Sequence, residues 1–456
     1  MPPFALENLS NTAKSNQPAE HTERELHRDA HPDAPGKNQS VADAIPNHAA
    51  TTDTASKFLT PMCIISDEKI VSDEKNSGKI KMGDVDPTDK LRVGMAWSNA
   101  TNLDEPAIDS MARHDIVIGA PGTFRLKANN EYPGLATSFT SESIVQGDKM
   151  HQQLKDKNPG IETLAEVRYR DASSSYLPED SPWWQRDNKG KFVAGYPGAG
   201  LNYRMLDFTN PKVQDQVADQ AAALVKSGAV DGVMLDWFND GVHKGKDPDD
   251  GVHKGKDWDA ARLEMLTKIR EKIDEVNPKA KIFINTNAKI MPDSIAKLVD
   301  GYYMECNMSS TRADWDKITN AVDHAEKQGK TVFVETWFDK NMSRQEDNKM
   351  RATMALVMTH APDGVALFGD PDGLKMEEHQ HDFYNFYNTK IGKPVGELVN
   401  VGGTSQRDFE RGTFVYNPIG NGNYEMHFAE PHTSAATGKR GTSFCIRAEN
   451  GDFFSE

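Results

Sequence analysis

Three acidic residues each close a short apolar run: Val233-Met234-Leu235-Asp236, Tyr302-Tyr303-Met304-Glu305 and Val332-Phe333-Val334-Glu335. Such a run reads as a strand buried on both faces. A carboxylate at its C-terminal end has no packing role, and in α/β folds that edge is where ligands sit. Trp97, Trp237 and Trp337 stand at the same kind of position, Trp183 and Trp184 lie in a loop, and Arg168, Arg170, Asn285 and Asn287 fill most of the other strand ends. Indole faces stack on the C–H face of a sugar, amides and guanidinium groups take its hydroxyls, and glycosidic cleavage uses two carboxyls. The residue types point to a carbohydrate substrate, with Asp236, Glu305 and Glu335 as the catalytic acids. Glu305 follows an apolar strand, where burial raises a carboxyl pKa, which makes it the proton donor; Asp236, beside a polar loop, is the standing anion.

Other chemistry-bearing residues read as structural. Asp207 fixes a turn into a helix, and Asp370 precedes Pro371 in another turn. Trp315 lies on a helical stripe and Trp258 opens a helix, both as packing residues. His379-x-His381 has the spacing of a metal pair, but it falls on the last expected helix, where surface histidines are the reading. Asp247-Pro248-Asp249-Asp250-Gly251 misses the glycine and glutamate spacing of a calcium loop. The site needs no metal and no cofactor.

The elements that position these residues begin at Leu91. Strands are expected at Leu91–Trp97, Asp115–Gly119, Thr163–Tyr169, Val233–Asp236, Lys281–Thr286, Gly301–Cys306, Thr331–Thr336 and Gly364–Gly369. Helical patterns separate most of them. The clearest has Asn210 as N-cap, Pro211 at its first position, a Val213/Val217/Ala221/Leu224 stripe and Gly228 at its end. The last helix is expected over Leu374–Ile391. Eight strands over roughly 300 residues predict a (β/α)8 TIM barrel, an α/β fold, spanning 89–392. No glycine-rich phosphate turn follows the first strand, which disfavours a doubly wound sheet. From 393 to 456, short alternating runs with Gly and Asn turns predict a small β-sandwich-like C-terminal domain of antiparallel strands. A GVHKGKD segment at Gly241–Asp247 repeats at Gly251–Asp257 inside one loop, too short a unit for a solenoid.

The 456-residue chain carries a net charge of −16 and no long basic run, which argues against a nucleic-acid partner. Cys63, Cys306 and Cys445 are too few for a disulfide framework or a zinc site. No apolar stretch approaches the roughly 18 residues of a membrane span. Residues 1–88 are rich in Asn, Ser, Thr, Asp, Glu and Pro and hold too little apolar surface to offset chain entropy, so a mostly disordered N-terminal tail is expected. Its first residues lack a secretory signal, leaving a cytoplasmic protein or one exported by a leaderless route.

The series LDFTNP (206–211), DGVMLDWF (231–238), YYMEC (302–306), VFVETWF (332–338) and GVALFGDP (364–371) resembles a glycoside-hydrolase-like TIM-barrel family. That family is distantly similar to the endo-α-1,4-polygalactosaminidase group. RDFERGTFVYNP (407–418) resembles the small β module that closes such proteins. The resemblance implies a glycosidase whose acid/base and nucleophile end strands four and six, here Asp236 and Glu305. Barrel glycosidases of another clan pair strands four and seven, which selects Asp236 and Glu335. A catalytically silent carbohydrate-binding barrel and an exported effector acting on a glycan are the alternatives.

Overall fold

The computed structural model describes residues 89–129, 135–196, 202–238, 257–306, 311–336, 347–369 and 379–456. The expected tail and the duplicated GVHKGKD loop lie outside them. In chain order the first part comprises β1 (Gly94–Ala96), α1 (Ala107–Ala112), β2 (Ile116–Gly119), α2 (Ser141–Lys157), β3 (Glu162–Val167), β4 (Asp171–Ser173) and β5 (Tyr203–Met205). It continues through α3 (Pro211–Lys226), β6 (Gly232–Leu235), α4 (Trp258–Val276), β7 (Lys281–Asn285), α5 (Asp293–Ala296) and β8 (Gly301–Cys306). Then come α6 (Arg312–Lys327), β9 (Thr331–Thr336), α7 (Asp347–His360) and β10 (Val365–Phe368). The remaining strands are β11 (Val399–Val401), β12 (Thr404–Phe409), β13 (Gly412–Asn417), β14 (Tyr424–Ser434), β15 (Arg440–Ile446) and β16 (Asn450–Ser455).

Eight strands pair in parallel in the order β1-β2-β3-β6-β7-β8-β9-β10. A parallel bridge between Val93 and Ala366 joins the two ends, so the sheet closes into a (β/α)8-like barrel. The helix cues act as the sequence reads: Asn210 accepts from the Lys212 amide, Pro211 opens α3, and Gly228 takes a positive φ of 73° after it.

Side chains two apart on a strand share a face. One set fills the barrel interior: Ile118, Leu164, Met234, Phe283, Tyr303, Phe333 and Leu367 are buried in a single cluster. Two residues further along their strands stand Glu166, Asp236, Asn285, Glu305 and Glu335. The apolar plug and the polar mouth are therefore successive layers of one alternating register. The plug is tight, because a β-carbon added to Gly94 would collide with the Phe333 ring. Gly94→Ala is accordingly expected to destabilise the fold by about 1–3 kcal/mol, read as a lower denaturant midpoint. An unchanged midpoint would mean that the Phe333 ring is free to move aside.

Two features depart from expectation. The loop after β3 contains a two-stranded antiparallel pair, β4 with β5. The helix expected at Leu374–Ile391 is not formed in its described part. Residues 379–391 hold a single short 3-10 turn, Asn385–Asn388, and a bridge pairs His381 with Gly369. Phe383, Phe386, Tyr387 and Ile391 are buried at spacings that imitate a helical stripe. The Thr101 amide on the His381 carbonyl, and a reciprocal pair of bonds between Asn102 and Phe383, hold that strap against the loop after β1 instead.

The C-terminal strands form a separate antiparallel sheet in the order β11-β12-β13-β16-β14-β15. Phe414, Tyr416 and Phe453 join the large core that includes α7, while Val415, Ile446 and Phe454 make a second small core with Tyr424, Met426, Phe428 and Phe444. Barrel and sheet belong to one compact unit. His360 ties them: its Nδ1 meets Asp323 at 2.7 Å and its Nε2 meets Ser405 Oγ at 2.9 Å. Cys306 is a buried thiol whose Sγ donates to the Met304 carbonyl at 3.3 Å.

Candidate active site

The mouth is organised by one amide. Asn285, the last residue of β7, is fully buried, and its Nδ2 donates to Asp236 Oδ1 at 2.9 Å and to Glu305 Oε2 at 2.7 Å. Those two carboxylate oxygens are thus no more than two hydrogen-bond lengths apart. Asp236 Oδ1 also accepts its neighbour's backbone N–H, from Trp237, at 2.8 Å. Asp236 and Glu305 are 9% and 8% exposed, enough to be reached from the mouth while largely shielded from water. Burial pushes the Glu305 carboxyl up to about 8; the neighbouring Asp236 and Glu335 add to the rise, and His379 and the Asn285 bond oppose it. A protonated acid beside an aspartate on a shared amide is a pair suited to proton donation and nucleophilic attack.

Glu335 stands elsewhere in the layer. Glu305 and Glu335 face each other across β8 and β9 in register, but Glu335 is fully enclosed. The Tyr303 hydroxyl donates to it, and His379 Nδ1 lies 3.0 Å from each of its oxygens. His379 and His381 are 7% and 0% exposed, so the surface reading of that pair is corrected. His381 Nε2 meets His114 Nε2 at 3.0 Å behind the mouth, and His379 lies against the Trp97 indole with ring centroids 4.5 Å apart.

A fourth acid, Glu166, escaped the sequence reading. Its Oε2 accepts the Trp97 indole N–H at 2.9 Å, and its Oε1 meets Arg168 Nη1 at 3.2 Å. Burial raises its pKa, Arg168 opposes the rise, and Asp236 adds to it, which places all these groups in one electrostatic neighbourhood. The signal was present: in Thr163-Leu164-Ala165-Glu166-Val167-Arg168, residues 164, 166 and 168 share a face. Glu166 sits inside the expected strand rather than at its end.

The other expected binding residues divide. Arg168 is pinned by Asp171, at 3.0 Å from Nη2, and lies over the Tyr196 and Tyr203 rings. Arg170 is buried and stacks on Trp237. Trp237 itself is half-buried, with the Tyr196 ring edge-on at 6.0 Å. Asn287 secures the scaffold, donating from Nδ2 to the Glu305 carbonyl at 2.7 Å. Trp184 is 3% exposed, with its indole N–H on the Pro178 carbonyl, and Trp183 is half-buried against the same core; neither is brought to the carboxylates by any described contact. Trp337 lies outside the described residues. Trp97, Trp237, Asn287, Ala288 and His379 all hold positive φ, between 46° and 59°. Non-glycine residues keep such backbone where the surroundings over-determine it, commonly at functional sites.

Among the described residues no group of three or more His, Cys, Asp or Glu side chains is arranged to hold a metal ion. No described helix is long and apolar enough to cross a membrane. The model of a family described as hypothetical glycosyl hydrolase family 15 matches residues 157–413, a span that includes Glu166, Asp236, Asn285, Glu305, Glu335 and His379. No curated protein matches the chain. Among solved structures, the noncanonic maltogenic α-amylase AmyB from Thermotoga neapolitana is similar at 10% identity over 80% of this chain and 98% of that one, with a TM-score of 0.47. The cyclic α-maltosyl-(1→6)-maltose hydrolase from Arthrobacter globiformis is similar at 9% identity over 81% and 99%, with a TM-score of 0.46.

Proposed function

Because the chain belongs to hypothetical glycosyl hydrolase family 15, we propose that it hydrolyses O-glycosidic bonds of an oligo- or polysaccharide, with Asp236 and Glu305 as the reacting pair. The observation that carries this reading is the Asn285 amide donating to both carboxylates at once. Retaining glycosidases hold their carboxyls roughly 5–5.5 Å apart and inverting ones roughly 6.5–9.5 Å. Two oxygens on one amide nitrogen favour the shorter class. Asp236 then attacks the anomeric carbon while Glu305 gives its proton to the leaving oxygen. A glycosyl ester forms on Asp236, and Glu305, now ionised, takes a proton from the water that releases the sugar. Glu335, enclosed by Tyr303 and His379, takes no part in bond making.

Trp97 is the stacking surface in this reading, with its indole N–H fixed by Glu166, and Trp237 is a second ring backed by Arg170. The described mouth carries five acids, Glu166, Asp171, Asp236, Glu305 and Glu335, against Arg168, Arg170 and His379. That surplus favours a neutral or cationic sugar over a uronate or sulfated one, in keeping with the resemblance to the polygalactosaminidase group.

The test is incubation of the full chain with a panel of neutral, amino and acidic glycans, followed by NMR of the first product. Cleavage with the anomeric configuration kept is expected. An inverted product would overturn the assigned roles, and binding of a glycan with no product would leave a barrel that only holds sugars.

A further inference from the structure

The acid left over by this mechanism is Glu335. A buried anion persists only beside a compensating charge and donors for its oxygens. Tyr303 supplies one donor, and His379 bridges both oxygens. Space for the carboxylate exists because residue 369 is glycine: a β-carbon there would stand 2.9 Å from Glu335 Oε1. His379 reaches this place from the strap outside the barrel strands, 7% exposed, at φ 59°, with its ring against Trp97. That strap is held by the His381 bridge to Gly369 and by Thr101. Glu335 and Trp97 thus fix the imidazole at the edge of the acidic layer, and the strap that carries it is fixed in turn.

We propose that His379, held as an imidazolium by Glu335, is the positioning residue that governs the proton on Glu305. The register of β8 and β9 sets Glu305 on the strand position beside Glu335, whose oxygens the His379 ring spans, and His379 acts electrostatically on Glu305. The groups facing Glu305 sort by sign. Asp236 from β6 and Glu335 from β9 are anions that hold its proton on. His379 is the cation that draws it off, and Asn285 from β7 donates a neutral bond to the ionised form. Around His379 itself stand Glu335, Glu305 and the Trp97 indole, with the Tyr303 hydroxyl sharing the Glu335 carboxylate.

The consequence concerns the second half of the reaction and rests on the reading of Glu305 as acid and base. Between two anions and without the cation, Glu305 would keep its proton and be a poor base for the attacking water. With the cation it can alternate between the two forms near neutral pH. His379 touches no reacting atom in this scheme; it acts through Glu305.

The experiment follows the side-chain carboxyl of Glu305 by 13C NMR in the full chain labelled at glutamate, the signal being assigned by its loss in Glu305→Gln. The parent midpoint is expected at about 8, and in His379→Gln it should rise by roughly one pH unit or more. Coincident midpoints in a folded His379→Gln protein would overturn the proposal. A second measurement needs no variant: 15N shifts of the parent His379 ring should show both nitrogens protonated while Glu305 is still neutral. A neutral ring over that range would overturn the proposal as well. Neither readout depends on turnover. Failure to cleave any glycan would therefore sink the proposed reaction and leave the link between His379 and Glu305 standing, whereas coincident midpoints in a glycan-cleaving protein would sink only the link.

Discussion

Glu305→Gln and Asp236→Asn are each expected to lower kcat by roughly 10²–10⁴-fold while leaving the circular dichroism spectrum of the parent in place. Both changes keep the shape of the side chain and an oxygen for the Asn285 amide, so the mouth is not opened and the barrel plug beneath it is untouched. What they remove is the transferable proton in one case and the attacking anion in the other. The losses should not add in the double variant, because the two groups act as one unit. Steady-state kinetics on a responsive glycan decides the matter. Parent-like rates in either single variant would remove that residue from the reaction.

The second large effect is on pH. An acid held at about 8 is protonated through the neutral range, so kcat/KM should fall about tenfold for each pH unit above roughly 8. Glu305→Gln should lack that limb in whatever residual rate it retains. Stability shares the dependence with a definite sign. Glu305 ionises at a higher pH in the folded chain than the ordinary glutamate value of 4.5. Its neutral form therefore contributes fully below about 4.5, and the contribution is lost as the pH rises through about 8. Chemical denaturation of the parent and of Glu305→Gln at several pH values reads this directly. The parent should lose stability relative to the variant across that window, and parallel curves would show that Glu305 ionises at an ordinary pH.

Much of the molecule is legible in one dimension because the forces that write it are local. Strand alternation places Met234 and Asp236, or Tyr303 and Glu305, on one face whatever the neighbours are, so the plug and the acidic layer can be read from residue order. The same holds for the N-cap at Asn210 and for the helix that follows Pro211. Glu166 is equally readable from its alternation with Leu164, although it lies inside its strand rather than at the end.

Other parts depend on contacts between distant segments. The Leu374–Ile391 stretch has helical spacing, yet the described strap answers to Gly369, Thr101 and Asn102, residues far away in the chain. For the same reason the pair His379-x-His381 carries opposite meanings in sequence and in space. On a helix it would face water, whereas in the strap one ring enters the mouth and the other meets His114.

Residue order alone determined that an alternating barrel would present acids at its C-terminal rim, since that follows from backbone pleating and the segregation of apolar side chains. Only the folded chain decided how those acids are arranged. Which carboxylate shares an amide with Asp236, and which is sealed behind a tyrosine and a histidine, depends on strand stagger and hydrogen-bond partners. Those are set by packing between segments up to hundreds of residues apart, and no local pattern records them.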